Sequence, residues 1–336
     1  MRLARALWLL PLAVAACGDD PVTPTPDAGI PVDGGTPDGG SPTDGGDPTD
    51  GGGDAGAADA GRTMCTVDPG VDLTRDPTCP AGRNWIRFVE ATVESEGDRV
   101  AGAKPQMCIT HTNGYICVEP VDTCEDGTWF QELTEDIRCV EKMVMSVSKP
   151  GDFASTFCEL SLDEEGVLRI DEPLEIYPVS TQPDKPPLGD ATEARTVELQ
   201  DGVQLELVPS SLEECFEDGF RCDRVYGPLG VRRIGPDEAT PCFVDPAEPP
   251  DALYAFNVSN DVDGTVPVRL ENQDGLAPGT VVDVFVLGGL FCTLPDGGEV
   301  EEGEWRAFGT ATVSADGQFI EGGEIPCVNW FGYRAR

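Results

Sequence analysis

"VELQDGVQLEL", residues 197–207, is the stretch on which the fold turns. Val197 and Leu199 alternate with polar neighbours, Asp201-Gly202 interrupts, and Val203, Leu205 and Leu207 resume the alternation. A period of two puts every second side chain on one face of a strand, and Asp-Gly between two such runs is a hairpin signal. The same pattern recurs along the chain. Met143, Met145 and Val147 alternate with Lys142, Val144 and Ser146. Val266, Val268 and Leu270 repeat it, as do Val282, Val284 and Val286. Trp305, Ala307, Ala311 and Val313 share one parity before Ala315-Asp316-Gly317 and a return strand at 318–320. One short helix is expected in "SSLEECFED", 210–218, where Ser210 and Glu213 have capping-box spacing. Many short strands separated by regular turns predict an all-β chain of β-sandwich modules.

A composition shift divides the strand-bearing region. "YPVSTQPDKPPLGDATEA", 177–194, is rich in proline and poor in apolar residues, as linkers are. The expected organisation is one sandwich at 63–178, a linker at 179–191 and a second sandwich at 192–336. Two modules suit that length.

The N-terminal region reads differently. "RALWLLPLAVAACGDD", 5–20, follows Arg2 and holds an apolar core from Ala6 to Ala16, broken only by Pro11. That is the length of a secretory signal and well short of the ~20 residues a spanning helix needs. Val14-Ala15-Ala16-Cys17 resembles the lipobox of bacterial lipoproteins. The resemblance implies cleavage after residue 16, acylation of Cys17 and anchoring to a membrane, since one chain holds marginally and two or more hold stably. Gly18 after Cys17, in place of aspartate, resembles enterobacterial sorting to the outer membrane. Which face of the membrane the domains occupy stays open.

Residues 17–62 are the expected tether. After Cys17 they are almost entirely Gly, Asp, Pro, Thr and Ala, too apolar-poor to offset the entropy of ordering, so a disordered segment is expected. As a flexible coil its 45 residues after Cys17 reach ~35–40 Å root-mean-square. The Asp-Gly repeats lack the spacing of calcium-binding β-helix repeats.

Charge narrows the partners. Of the net −40, the tether holds −9 and the first 16 residues +2, which leaves −33 on residues 63–336. Such a surface repels phosphate backbones, so no nucleic-acid partner is expected. The expected contacts are the membrane through the lipid, and an envelope protein or glycan as ligand.

Cysteine arithmetic points the same way. Removing Cys17 from 13 cysteines leaves 12, an even number in an exported chain, and predicts six disulfides. No Cys-x2-Cys knuckle occurs, so no metal site or cofactor is expected. Cys65, Cys79, Cys108, Cys117, Cys124, Cys139 and Cys158 fall in the first module, and Cys215, Cys222, Cys242, Cys292 and Cys327 in the second. Two odd counts require one bridge between the modules. Cys292 with Cys327 is the best single pairing, since both lie in the C-terminal strand region.

The first module carries a family resemblance. "VEATVESEGDRVAGAKPQMCI", 89–109, resembles the opening hairpin of carboxypeptidase regulatory-like domains, through Gly97, Gly102 and Ala103. "EDGTWFQEL", 125–133, is similar to their Asp-Gly turn and aromatic strand, and "MVMSVSKPGDF", 143–153, to their strand ending in a Pro-Gly-aromatic turn. The family implies a transthyretin-like sandwich acting as a non-catalytic accessory. The chain departs from it in lacking proline before Val100 and in its disulfide density. The second module is only loosely similar to sandwich domains of large bacterial surface lipoproteins.

Catalytic chemistry finds little to stand on. The one histidine, His111, sits in "CITHTNGYIC" beside a Thr-Asn-Gly turn, where a solvated loop position is expected. Zinc hydrolases need more than one histidine. No Gly-x-Ser-x-Gly elbow and no phosphate loop is present. A glycosidase carboxylate pair stays open among 62 acids, but aromatics make up only 7% of residues. The expectation is a non-enzyme. "SNDVDGT", 259–265, has Asp-x-Asp-Gly but asparagine at 272, where a calcium loop needs glutamate, and is read as an acidic turn between Val258 and Val266. Trp330, Phe331 and Tyr333 are read as core in preference to a sugar platform.

Overall fold

The computed structural model describes residues 65, 70–149, 153–179, 194–207, 229–235 and 238–336. The signal and tether segments with Cys17, the 210–218 helix with Cys215 and Cys222, and nearly all of the linker lie outside the described residues, as does the Pro150-Gly151 turn.

The described chain is β-structure with two single 3-10 turns. The first lobe comprises β1 (Asn84–Ser95), β2 (Asp98–Arg99), β3 (Lys104–His111), β4 (Gly114–Cys117), β5 (Thr128–Glu132), β6 (Cys139–Ser148), β7 (Phe153–Ala154), β8 (Thr156–Glu159), β9 (Gly166–Arg169), β10 (Leu174–Glu175) and β11 (Tyr177–Pro178). Strand β1 serves two layers. Its first residues pair with β6, alongside β3, β4 and β8, and its remainder pairs antiparallel with β5 and parallel with β9. A register shift between Ile86 and Phe88 makes the transfer. It changes parity: Ile86 faces the core, and after the shift Val89, Ala91 and Val93 do. Bulges bend strands and re-aim side chains in this way. Met107, Ile109, Met143, Met145, Val147, Trp129 and Leu168 close the core from the facing strands.

Turn chemistry follows the sequence closely. Glu96 and Gly97 both have positive φ and connect β1 to β2 through a two-residue hairpin. Gly127 is required twice over, since φ is +74° and an added Cβ would lie 2.9 Å from the Val93 carbonyl oxygen. Two of the aspartates cap turns. In Asp76-Pro77-Thr78 and Asp126-Gly127-Thr128 the Thr N–H and hydroxyl both donate to the Asp carboxylate, at 2.6–3.0 Å. Those threonine hydroxyls hold both carboxyls below the usual range. The Asp-x-Thr spacing is a local signal of such turns.

The second lobe comprises β12 (Arg195–Glu198), β13 (Val203–Leu207), β14 (Val231–Ile234), β15 (Ala252–Glu271), β16 (Val281–Leu287), β17 (Trp305–Val313) and β18 (Phe319–Ala335), in sheet order β12-β13-β15-β18-β16-β17, with β14 also on β15. The 197–207 stretch forms the β12–β13 hairpin, with Asp201 and Gly202 both at positive φ. Strand β17 pairs with β16 and also with the start of β18, so the sheet curls over its own core. Tyr254 and Phe256 stack on Phe331 inside it, at 4.9 and 5.5 Å. A void of about 10 Å³ between Val268, Val284, Ala311 and Phe331 leaves at most room for one water.

Two strand expectations are corrected. Residues 259–265 do not turn the chain back: they lie within the continuous β15, as bulges between Ala255 and Asn260 and between Asp261 and Val266. Asp261 instead ties β15 to the loop after β16, accepting from the Thr293 N–H and hydroxyl at 2.9 and 2.7 Å. Trp305 and Ala307 do not share the parity of Ala311 and Val313, and Trp305 packs on Phe243 and Phe285 outside their core. A bulge at Phe308 flips β17, so that Phe308 packs on the core and Ala307 is exposed.

Both sheets fall within one compact unit. A third apolar cluster joins Ala154, Phe157, Tyr177 and Val179 of the first lobe to Ile234, Leu253, Ala255, Leu287 and Trp330 of the second. It also explains why β6 is buried on both faces, Val144 and Ser146 included. Gly303, with φ of +79°, brings its loop so near Val144 that an added Cβ would lie 3.2 Å from the valine Cγ1.

Candidate functional site

Ten cysteines are paired among the described residues: Cys65–Cys124, Cys79–Cys139, Cys108–Cys117, Cys158–Cys242 and Cys292–Cys327. The first three tie down the first lobe. Cys158–Cys242 crosses between lobes, and Cys292–Cys327 staples a loop to β18. Around the crossing bridge, Trp330 Nε1–H donates to the Ser155 carbonyl at 2.6 Å and the Tyr177 hydroxyl to the Ala239 carbonyl at 2.8 Å. Arg232 donates to the Pro178 carbonyl at 3.0 Å and pairs with Glu96 at 3.1 Å. These contacts lock the two lobes together. Five disulfides in one chain belong to an oxidising, extracytoplasmic setting.

The remaining sequence candidates separate. His111 ends β3 opposite Gly114, at the rim of the hairpin closed by Cys108–Cys117. Trp330, Phe331 and Tyr333 are buried, so none of these rings is free to stack on a sugar. Sγ atoms of Cys108 and Cys117 approach a Glu302 carboxylate oxygen, but the two sulfurs are bonded to each other and offer no thiolate.

A groove that no sequence motif marks lies on the outer face of β5–β1–β9. The register sets Phe130, Glu90 and Arg169 in one row across the three strands, with Thr128 opposite Thr92 in the next. Below them Phe88 stacks on Phe130 at 5.1 Å, under Val71. Cys65, Val71 and Leu73 form one wall, Ile170 and Pro173 another, and the enclosed space is about 730 Å³, within the range of small-ligand clefts. The floor presents matched charge: Arg169 meets Glu90 at 3.0 Å, and Arg99, on the rim, meets Glu94 at 3.0 Å. Guanidinium donors, carboxylate acceptors and threonine hydroxyls suit a neutral polyhydroxylated ligand better than an ion. Only the alternation of Glu90 and Thr92 with Val89, Ala91 and Val93 could have marked this face.

A second feature sits where the lobes meet. Glu302 accepts a hydrogen bond from the Tyr115 hydroxyl on the edge strand β4, while its other oxygen is buried without a partner. Burial pushes its carboxyl above the ordinary value, against the pull of Tyr115 and the Lys142 ammonium. An acid raised on folding adds stability that is complete below its unfolded value, about 4.3, and is lost as pH rises through the folded value. Glu302→Gln is therefore expected to raise the melting temperature near pH 8 and leave it unchanged near pH 3.5. A variant less stable than wild type at the higher pH would reverse the sign of this account.

No protein-family model matches the chain, and no curated protein matches it significantly.

Proposed function

We propose that this chain is a lipid-anchored extracytoplasmic lipoprotein whose folded part acts as a structural or binding body without catalysis. The disulfide framework carries the reading: among the described residues five bridges are formed, one of them between lobes, in a chain whose Val14-Ala15-Ala16-Cys17 resembles a lipobox. A signal ending at residue 16, an acylated Cys17 and an acidic tether fit a rigid body held away from a bilayer, with the outer membrane favoured by Gly18. Mass spectrometry of the mature protein is expected to find a diacylglyceryl and acyl-modified Cys17 at the N-terminus. An intact initiator methionine or an unmodified Cys17 would refute the anchor, and protease shaving of intact cells would report the exposed face.

A second reading, a glycan-binding or hydrolase-accessory module, is favoured by the groove with its Glu90–Arg169 pair. Glycan arrays and peptidoglycan pull-downs with the full chain separate the two. Binding abolished by Glu90→Ala with Arg169→Ala supports the module, and no binding to any glycan supports the spacer.

A further inference from the structure

We infer that this protein is a client of a thiol–disulfide isomerase, because its native bridges are not those its chain forms first. The inference rests on the pairing alone and is independent of the lipid anchor. Cys65–Cys124 and Cys79–Cys139 cross: each loop contains one end of the other, and Cys108–Cys117 lies inside both. Cys158–Cys242 in turn spans Cys215 and Cys222. Only Cys108–Cys117 and Cys292–Cys327, among the described pairs, join cysteines adjacent in the sequence.

Loop closure in an unfolded chain falls off as the three-halves power of loop length. Cys65 and Cys79 are 14 residues apart, against 59 for the native partner of Cys65, so the wrong contact is favoured about 9-fold. Cys124 lies 7 residues from Cys117 and 15 from Cys139, and both contacts are favoured over its native pairing, about 24-fold and about 8-fold. Structure does not correct this bias early. Cys65 and Cys79 precede β1, whose partners β5 and β9 lie some 40 and 80 residues further on, so the first two thiols meet before their sheet has partners to pair. Once the chain packs, Cys79, Cys108 and Cys158 are buried and closed to exchange.

The conversion balances without net oxidation. An isomerase thiolate attacks the Cys65 sulfur of a Cys65–Cys79 bridge, forming a mixed disulfide and releasing the Cys79 thiolate. That thiolate attacks the Cys139 sulfur of a Cys124–Cys139 bridge, forming Cys79–Cys139 and releasing the Cys124 thiolate. Cys124 then attacks Cys65 in the mixed disulfide, forming Cys65–Cys124 and returning the enzyme thiolate. Two bridges are consumed and two are made, with no electrons transferred.

The test refolds the full chain from the reduced, unfolded state with oxidant alone, with a glutathione thiol–disulfide mixture, and with a dithiol isomerase added to that mixture. Bridges are mapped by non-reducing peptide mass spectrometry. Oxidant alone is expected to yield Cys65–Cys79 over Cys65–Cys124 by about 9-fold and Cys124–Cys139 over it by about 8-fold, and the isomerase to convert these to the native map faster than glutathione does. A variant with Cys65→Ser and Cys124→Ser removes the crossing. It is expected to form Cys79–Cys139 in higher yield with oxidant alone than wild type does. The native crossed pair formed by oxidant alone at the isomerase rate, or no gain in the variant, would overturn the inference.

Discussion

Replacing Cys158 and Cys242 together by alanine is expected to lower stability by about 4.5 kcal/mol, the loop-closure value for an 84-residue separation. At roughly 2–4 °C per kcal/mol for a protein this size, the melting temperature falls by roughly 9–18 °C. The change is more than a shift. The large cores of the two lobes are separate clusters, joined through the third cluster, the hydrogen bonds around it and, among the described pairs, this one disulfide. Without the bond, calorimetry is expected to resolve two transitions where the wild type shows one. Cys108→Ala with Cys117→Ala provides the internal control. That bridge closes 9 residues between strands already paired, and its loss is expected to cost about 2.6 kcal/mol without splitting the transition. Equal effects of the two double variants, or a single unshifted transition for the first, would show that the lobes are held by something else.

Trp330→Ala is the largest expected effect of any single substitution. The indole is fully buried at the junction, edge-on to Tyr177 at 5.1 Å and to Phe243 at 5.2 Å, and its N–H donates across the lobes to Ser155. Truncating a buried tryptophan costs about 3–5 kcal/mol through lost transfer energy and the cavity left behind. Trp330→Phe keeps much of the apolar contact and strands the Ser155 carbonyl, for about 1–3 kcal/mol. Trp305, half-buried beside it against Phe243 and Phe285, gives a contrast, since its truncation removes less buried area. Denaturant titrations that place Trp330→Ala within about 1 kcal/mol of wild type would remove Trp330 as the junction's anchor.

The junction also shows the limit of local patterns. Val144 and Ser146 alternate with Met143, Met145 and Val147 as an outward face should, yet they are buried because a second lobe lies on that face. The 259–265 stretch has the composition of a turn, but pairing with the 17-residue β18 carries it through as bulges. Ala307 has the parity of the core and loses it to a single extra residue at Phe308. In each case a pairing partner distant in sequence overrode a local preference. The groove was hidden for the same reason: Glu90, Arg169 and Thr128 lie on three strands, and only their register makes them neighbours.

Near-neighbour chemistry was legible in the residues themselves. The period of two, the left-handed Asp201-Gly202 and Glu96-Gly97 turns, and the Asp-x-Thr caps involve atoms a few bonds apart, so the code for them is local. Odd cysteine counts on either side of a proline-rich stretch demanded one bridge across it. Which cysteines would make that bridge, how β1 passes from one layer to the next, and which polar side chains converge on the groove were decided by the tertiary structure. A buried valine or cysteine records that it is buried, and not against what, because burial is non-directional while partnership is set by chain topology and register.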